Sequence, residues 1–413
     1  MRSPYGTPEH PLHPRRRRTG GLGLLPMMLL LALGIGGTSI IGEHLTAPEP
    51  DVVLGTGLAF SADGLVLVPY DRNGPGGLVA EATGGMFTAR LAAVDLASGE
   101  TRWDVRLADE LAWDAAVVAA GVEYAYVATE DGLQIRDLDD GSLVTAGGAV
   151  PGLESAGPGT AAYGFDPAAG AVVALDVDGG FHTIDLDALE AVPAGEAVTE
   201  AWTGRLSAEG TLPELGGMTS TEASLGEERT LRVEPTAEDA LGGVLVIESR
   251  GAESRGTEGK SGRRVLGTRA YYGAGIVLDH TAAAAPGEID VDGLVQDILE
   301  DPAAAVDLAL PDNAAAGATT GHALVEHSPD PGAEGFALTV VDLETGRATA
   351  SVATANHLGR SLTGPGGHTV VLAAAADGVW LSELVIVAPD GSIDRAGFGD
   401  LDLLGRPDLG RNL

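Results

Sequence analysis

From Asp51 onward the chain alternates short apolar runs with turn residues. LVLVPY (65–70), EYAYVAT (123–129), GAVVALDV (170–177), GVLVIES (243–249), AGIVLD (274–279), FALTVVDL (336–343) and GVWLSELVIVAP (378–389) are rich in Val, Leu, Ile and Tyr. Bounded by Gly, Pro or Asp, they predict strands. Asp-Gly recurs at 63–64, 131–132, 292–293, 377–378 and 390–391. Between apolar runs that pair marks a tight reversal, because Gly accepts a positive φ. One stretch keeps another period. Val291, Leu294, Val295, Ile298 and Leu299 stand at i, i+3, i+4, i+7 and i+8 and stop before Pro302. This predicts a helix inserted over 288–301. The Ala-rich stretch 302–320 and the polar stretch 249–264 read as long loops. The expected fold class is all-β.

The first fifty residues follow a third pattern. No charge occurs from Thr19 to Gly42. A helix over 22–41 would have 20 residues, about 30 Å, the thickness of a bilayer core. Pro26 falls in its first turn or so, where a missing N–H costs little. Arg15, Arg16, Arg17 and Arg18 stand just before it, which places the basic tail 1–21 in the cytoplasm. The expectation is a single-pass anchor, a linker over 42–50 and an extracytoplasmic domain over 51–413. A cleaved secretory signal is the alternative and also places the domain outside, although Thr46-Ala47-Pro48 makes a poor cleavage site.

Repeats narrow the fold. VDLASGETRW puts Asp at 95, IRDLDDGSLV at 137, TIDLDALEAV at 185 and VVDLETGRAT at 342. Each has an apolar lead-in, Asp-Leu, a short turn and a polar exit. Gly99, Gly141 and Gly346 occupy the turn in three of them; Leu189 stands there in the third copy, whose turn must differ. VIVAPDGSIDRAG offers a later anchor at Asp390. The intervals are 42, 48 and 157 residues, the last taken as roughly three periods of about 50. Units of that size with several short strands predict a β-propeller, and 363 residues at about 45–50 each predict seven or eight blades.

VDLASGETRW resembles the repeat of the pyrroloquinoline-quinone-type (quinoprotein) β-propellers through Asp95, Ser98, Gly99 and Trp103. VDLETGRAT matches through Asp342, Thr345 and Gly346, with Ala350 in place of the Trp; the Asp137 copy keeps Gly141. The resemblance implies structural roles: the Gly turn reverses the chain and the Trp packs between blades. Family dehydrogenases use a bonded pair of adjacent cysteines near the cofactor. This chain has no cysteine, so the resemblance points to the non-catalytic members that act as scaffolds, and no quinone or other cofactor is expected.

Composition adds limits. The absence of cysteine also excludes disulfides, thiolate metal sites and a lipid-anchor cysteine. The net charge is −36, although residues 1–18 hold five Arg against Glu9 alone. Such an acidic domain repels nucleic acid phosphates, so no nucleic acid partner is expected. Lys260 is the only lysine against 23 arginines, which with abundant Ala and Gly indicates a GC-rich bacterial genome of actinobacterial type.

Candidate chemistry is sparse. SRGTEGKSG (254–262) has Ser254 where a phosphate loop requires Gly. His322 and His327 are five apart and form no H-E-x-x-H pair. No G-x-S-x-G elbow occurs. Asp176 with Asp178, and Asp290 with Asp292, are acidic loops that could hold Ca²⁺, although they also fit hairpin turns. The expected function is a non-catalytic, extracytoplasmic binding or scaffold protein that presents its propeller to an envelope protein or wall component. A propeller hydrolase using carboxylates at the channel mouth and a sensor of a small ligand are the alternatives.

Overall fold

The computed structural model describes residues 50–400 apart from 56, 75–86, 109–113, 156, 208–217, 227, 237–241, 250–261, 281–320, 334 and 379. The expected basic tail, the 22–41 segment, nearly all of the linker, the 288–301 helix and the 302–320 loop lie outside the described residues. Among the described residues no helix is long and apolar enough to cross a membrane.

The fold is all-β. Twenty-four strands are described: β1 (Asp51–Leu54), β2 (Ala59–Phe60), β3 (Leu65–Asn73), β4 (Phe87–Asp95), β5 (Thr101–Ala108), β6 (Ala115–Ala120), β7 (Tyr124–Thr129), β8 (Gly132–Asp137), β9 (Leu143–Ala146), β10 (Tyr163–Asp166), β11 (Ala171–Leu175), β12 (Phe181–Asp185), β13 (Val192–Pro193), β14 (Thr219–Ser220), β15 (Glu222–Ser224), β16 (Arg229–Pro235), β17 (Gly242–Ser249), β18 (Gly262–Val277), β19 (His322–Ser328), β20 (Phe336–Asp342), β21 (Ala348–Thr363), β22 (Thr369–Ala375), β23 (Leu381–Val387) and β24 (Ile393–Gly397). One α-helix, α1 (Glu196–Ser207), lies between β13 and β14.

The strands pair antiparallel, within each unit with their neighbours in the chain, while β14 pairs with β18 through Thr219 opposite Val277 and Ser220 opposite Ile276. β1 and β2 act as one interrupted strand along β3, with Leu54 opposite Tyr70 and Ala59 opposite Leu67; β4 and β5 complete the first unit. β6–β9 form the second unit and β10–β13 the third. The remaining strands form one eleven-stranded sheet. Two 16-residue strands divide it into three further units. β18 pairs with β17 through Gly262–Tyr272 and with β19 through Tyr272–Ile276. β21 pairs with β20 through Ala348–Thr354 and with β22 from Thr354 to Thr363.

The described residues therefore build six four-stranded units, where the interval arithmetic expects seven or eight. Long connections inflate that arithmetic. Residues 281–320 separate the first and second strands of the fifth unit, and α1 lies in the connection from the third unit to the fourth. The 157-residue interval spans two unit steps, not three. The loop expected over 249–264 is shorter at both ends, because Ser249 and Gly262 are a register pair.

Apolar faces bury against neighbouring units. The first and second share Leu67, Leu91, Trp103, Val117, Val127 and Leu138. The second and third share Tyr126, Ile135, Tyr163, Val172 and Ile184. The fourth and fifth meet through Leu231, Leu245, Tyr271, Ile276 and Val325, the fifth and sixth through Val277, Leu338, Val371 and Val385. Val52, Val66 and Val94 of the first unit pack on Leu362, Leu372 and Ile386 of the sixth, so the two ends of the series meet. Each fully buried Val or Leu contributes about 1.5–3 kcal/mol relative to exposure.

Among the described residues no such cluster joins the third and fourth units. There α1 lies on the third: the Trp202 ring covers Gly164, where a Cβ would come within 2.2 Å of it. Trp202 Nε1 donates to Asp166 Oδ2 at 3.0 Å. EAVTEAWTGRLS has good helix formers but no apolar stripe, so periodicity gives no sign of it.

First strands of adjacent units touch through backbone. Val117 N–H donates to Gly57 O (2.7 Å), Leu278 N–H to Met218 O (3.0 Å) and His280 N–H to Ser361 O (2.8 Å). A Cβ on Gly57 would stand 2.6 Å from Ala116 Cβ, and one on Gly275 2.6 Å from Thr219 Cβ.

Candidate functional site

The repeated aspartates close the third strand of their units. Asp95 Oδ1 accepts from Ala97 N–H and Ser98 N–H, both 3.0 Å, and Gly99 N–H donates back to Asp95 O at 2.8 Å. Asp342 repeats this with Glu344 N–H (3.0 Å), Thr345 N–H (2.6 Å) and a 2.8 Å bond from Gly346 N–H. Asp137 accepts from Asp139 N–H at 2.7 Å, with Gly141 N–H donating to Asp137 O at 2.9 Å. Gly99, Gly141 and Gly346 have φ of 69°, 74° and 68°, the left-handed region that a Cβ disfavours. Thr345 N–H and Oγ1 hold the Asp342 carboxyl below its usual range.

These turns also join units. Trp103 is 5% exposed, and its Nε1 donates to Leu138 O, beside the turn of the second unit, at 2.7 Å. The Gly141 position faces Trp103 and Val105, and the Gly99 position faces Asp394 of the sixth unit. Gly346 faces Leu266 and Gly267 of the fourth. Trp103 packs between the first and second units, and the glycines take the positive φ of the reversal.

The Asp185 turn differs, as Leu189 requires. Asp187 takes the positive φ, 65°. Its carboxylate accepts from three consecutive backbone N–H groups of the second unit, Val122 (2.8 Å), Glu123 (2.8 Å) and Tyr124 (3.2 Å). Burial pushes the carboxyl up, but these bonds outweigh it and hold it below its usual range. Sequence reasoning missed this latch because its partners lie more than sixty residues away. It also missed Asp166, whose Oδ1 accepts from Ala168 and Ala169 N–H at 2.9 and 3.1 Å, with Gly170 closing the turn; the DPAAG spacing carried that signal.

The acidic-loop candidates divide. Asp176 and Asp178 lie in the β11–β12 hairpin. Asp176 Oδ1 accepts from Asp178 N–H (2.9 Å) and Gly180 N–H (2.7 Å), and Oδ2 faces His182 Nε2 at 3.1 Å. A carboxylate engaged on both oxygens is a turn cap. Asp290 and Asp292 lie outside the described residues. Among the described residues no three His, Asp or Glu side chains gather as a metal site. His322 Nε2 lies 4.0 Å from Asp342 Oδ2; His327 bonds Ser328 O and Thr339 Oγ1, both at 2.8 Å. The two histidines serve separate contacts.

The densest polar cluster lies where the first unit meets the sixth. Tyr70 OH donates to Asp104 Oδ2 at 2.6 Å, and Arg90 Nε reaches Asp104 Oδ1 at 2.9 Å. Burial pushes the Asp104 carboxyl up against the pull of Arg90. Arg72 Nε donates to Gly399 O at 2.6 Å, and the Tyr70 ring packs tilted, at 48°, against Phe398 with ring centres 5.3 Å apart. These contacts clasp the end of the sixth unit to the first. Beside them an open cleft of about 200 Å³ is lined by Val53, Pro69, Asp71, Ala89 and Asp114. Burial, and then Asp114, push the Asp71 carboxyl up.

No protein-family model matches the sequence, and no curated protein matches it. Among solved structures the chain is similar to YCF48 from Cyanidioschyzon merolae, at 13% identity over 84% of this chain and 98% of that one, with a TM-score of 0.21. It is similar to an uncharacterized protein from Listeria monocytogenes EGD-e at 11% identity over 85% and 80% of the two chains, with a TM-score of 0.20. It is also similar to a quinohemoprotein alcohol dehydrogenase from Pseudomonas putida HK5, at 12% identity over 84% and 67%, with a TM-score of 0.18.

Proposed function

We propose that the chain is a non-catalytic binding or scaffold protein whose six units are the blades of a β-propeller. Residues 22–41 anchor it in the membrane, and its domain faces an envelope protein or wall component outside the cytoplasm. The observation that carries the non-catalytic reading is the direct backbone contact between first strands at Gly57–Val117, Met218–Leu278 and His280–Ser361. First strands line the middle of a propeller, and at these three junctions they leave no gap between neighbouring units. The hydrolase alternative needs carboxylates converging at that place. The ring reading is supported by the first unit packing on the sixth.

The test is affinity purification of tagged full-length chain from crosslinked membranes, with sedimentation on purified cell wall in parallel. The expected result is one envelope protein or wall fraction retained in proportion to the bait. Retention by neither would overturn the proposal. A reporter fused after residue 413 should be active only outside the cytoplasm; activity inside would overturn the anchor orientation.

A further inference from the structure

The outer half of β18 is the most basic of the outer strands: it has Arg263 and Arg264 and no acid, against Arg102, Asp104 and Arg106 in β5 and Asp394 and Arg395 in β24. Its residues Gly262–Leu266 pair with β17 on one side. On the other side, pairing with β19 begins only at Tyr272. The stretch Gly262–Leu266 therefore presents one backbone edge with no strand partner among the described residues; at Gly267, with φ of +68°, the register with β17 shifts and the strand bends. It is exposed from Gly262 to Val265. Open edges are templates for another strand, and proteins usually cover or shorten them.

Charge identifies the occupant. The chain carries −36 overall, yet the described residues of 229–269 include Arg229, Arg232, Arg263, Arg264 and Arg269 against only Glu234 and Glu248. β18 itself has Arg263, Arg264 and Arg269 and no acid in 16 residues. The pleat puts Arg263 and Arg264 on opposite faces. Arg263 contacts Glu234 at 2.6 Å and is 52% exposed. Arg264 turns to the fifth unit, donating to Glu344 O at 3.1 Å and to Leu343 O. Arg269 lies over the Tyr271 ring at 5.3 Å. A second copy pairing through the same edge would bring like charges together on one ribbon. An acidic strand would meet arginines on both faces.

We propose that the β18 edge, Gly262–Leu266, takes up an extended acidic segment of a partner protein as an added strand. This rests on the binding-protein reading and locates its contact. Main-chain bonds to the edge supply affinity, and the arginines select glutamate or aspartate opposite them.

The experiment measures fluorescence anisotropy of a labelled peptide of alternating Glu and Thr, about twelve residues long, with the full chain in detergent. Saturable binding is expected. It weakens by at least about tenfold when NaCl rises from about 50 to 300 mM, and by a similar factor in Arg263→Glu. The peptide with Lys for Glu does not bind. The same peptide N-methylated at alternate residues loses binding, and this arm uses the unmodified protein, so it does not depend on whether Arg263→Glu folds. Absence of saturable binding, or equal binding of the N-methylated peptide, overturns the proposal. Retention on membranes or wall is measured separately, so a failed peptide arm and a failed binding-protein reading are told apart.

Discussion

Gly141 tests whether the turn of one unit is packed on the strand of another. It has φ of +74°, and a Cβ there would stand 2.7 Å from Trp103 Cε3 and 2.9 Å from Val105 Cγ1. Gly64 provides the comparison: its φ is +84°, and nothing lies within 4 Å of its Cβ position. Gly64→Ala should cost only the left-handed backbone term, about 1–2 kcal/mol. Gly141→Ala should cost that plus overpacking of about 1–3 kcal/mol, about 2–5 kcal/mol together. The atoms it meets are a buried indole held by its bond to Leu138 O and a valine in the same strand, so neither yields freely. Urea unfolding followed by far-ultraviolet circular dichroism measures both variants. The double variant with Trp103→Ala should show a coupling of at least about 1 kcal/mol, because the cavity accepts the added methyl. Equal costs for Gly64→Ala and Gly141→Ala, with no coupling to Trp103, would refute packing between the first and second units.

Other perturbations probe other contacts. Asp187 has a depressed carboxyl, so its stabilisation is present above the unfolded value of about 3.9 and is lost as pH falls through the lower folded value. Asp187→Asn should flatten that acid loss and cost about 1–3 kcal/mol at neutral pH, measured as melting temperature against pH. Glu326 is the opposite case, pushed up to about 7 by burial. Its contribution is full below an unfolded value of about 4.3 and is lost as pH rises toward 7. Glu326→Gln should therefore gain up to about 3 kcal/mol on wild type at pH 8 and little at pH 4, and a uniform offset would contradict the assignment. Added Ca²⁺ should produce no rise in melting temperature that Asp178→Asn abolishes, since Asp176 is engaged by the hairpin N–H groups and His182.

Much of the strand content was legible. LVLVPY and FALTVVDL lie within β3 and β20 almost at their own limits, because one buried register demands an unbroken apolar run. The start of β18 was legible only in part: GRRVLG turns into strand, yet the loop expected over 249–264 overlaps Gly262–Arg264. The described residues give six units where the spacing predicts seven or eight. Repeat spacing measures sequence, and 281–320 adds forty residues to one connection without adding a paired strand to the described sheet. Of the marked residues, Asp95, Gly99 and Trp103 declared their geometry through local turn chemistry. Asp187 did not, because its three donors come from the neighbouring unit. The clasp of Arg72 on Gly399 spans more than three hundred residues, and no local pattern announces a bond of that range.

The two 16-residue strands divide the molecule unequally. The first three units are separate sheets, each bounded by its own edges, and one could be exchanged for a related unit with only its side-chain contacts to renew. The last three are joined: β18 and β21 each run through two units, so a cut within either divides a strand that both units use. Opening any one of the three strains its neighbour's inner strand. The C-terminal half of the domain is therefore expected to exchange its amide protons as one block, and the unit boundaries that organise the N-terminal half are poor places to truncate, permute or graft in the C-terminal half.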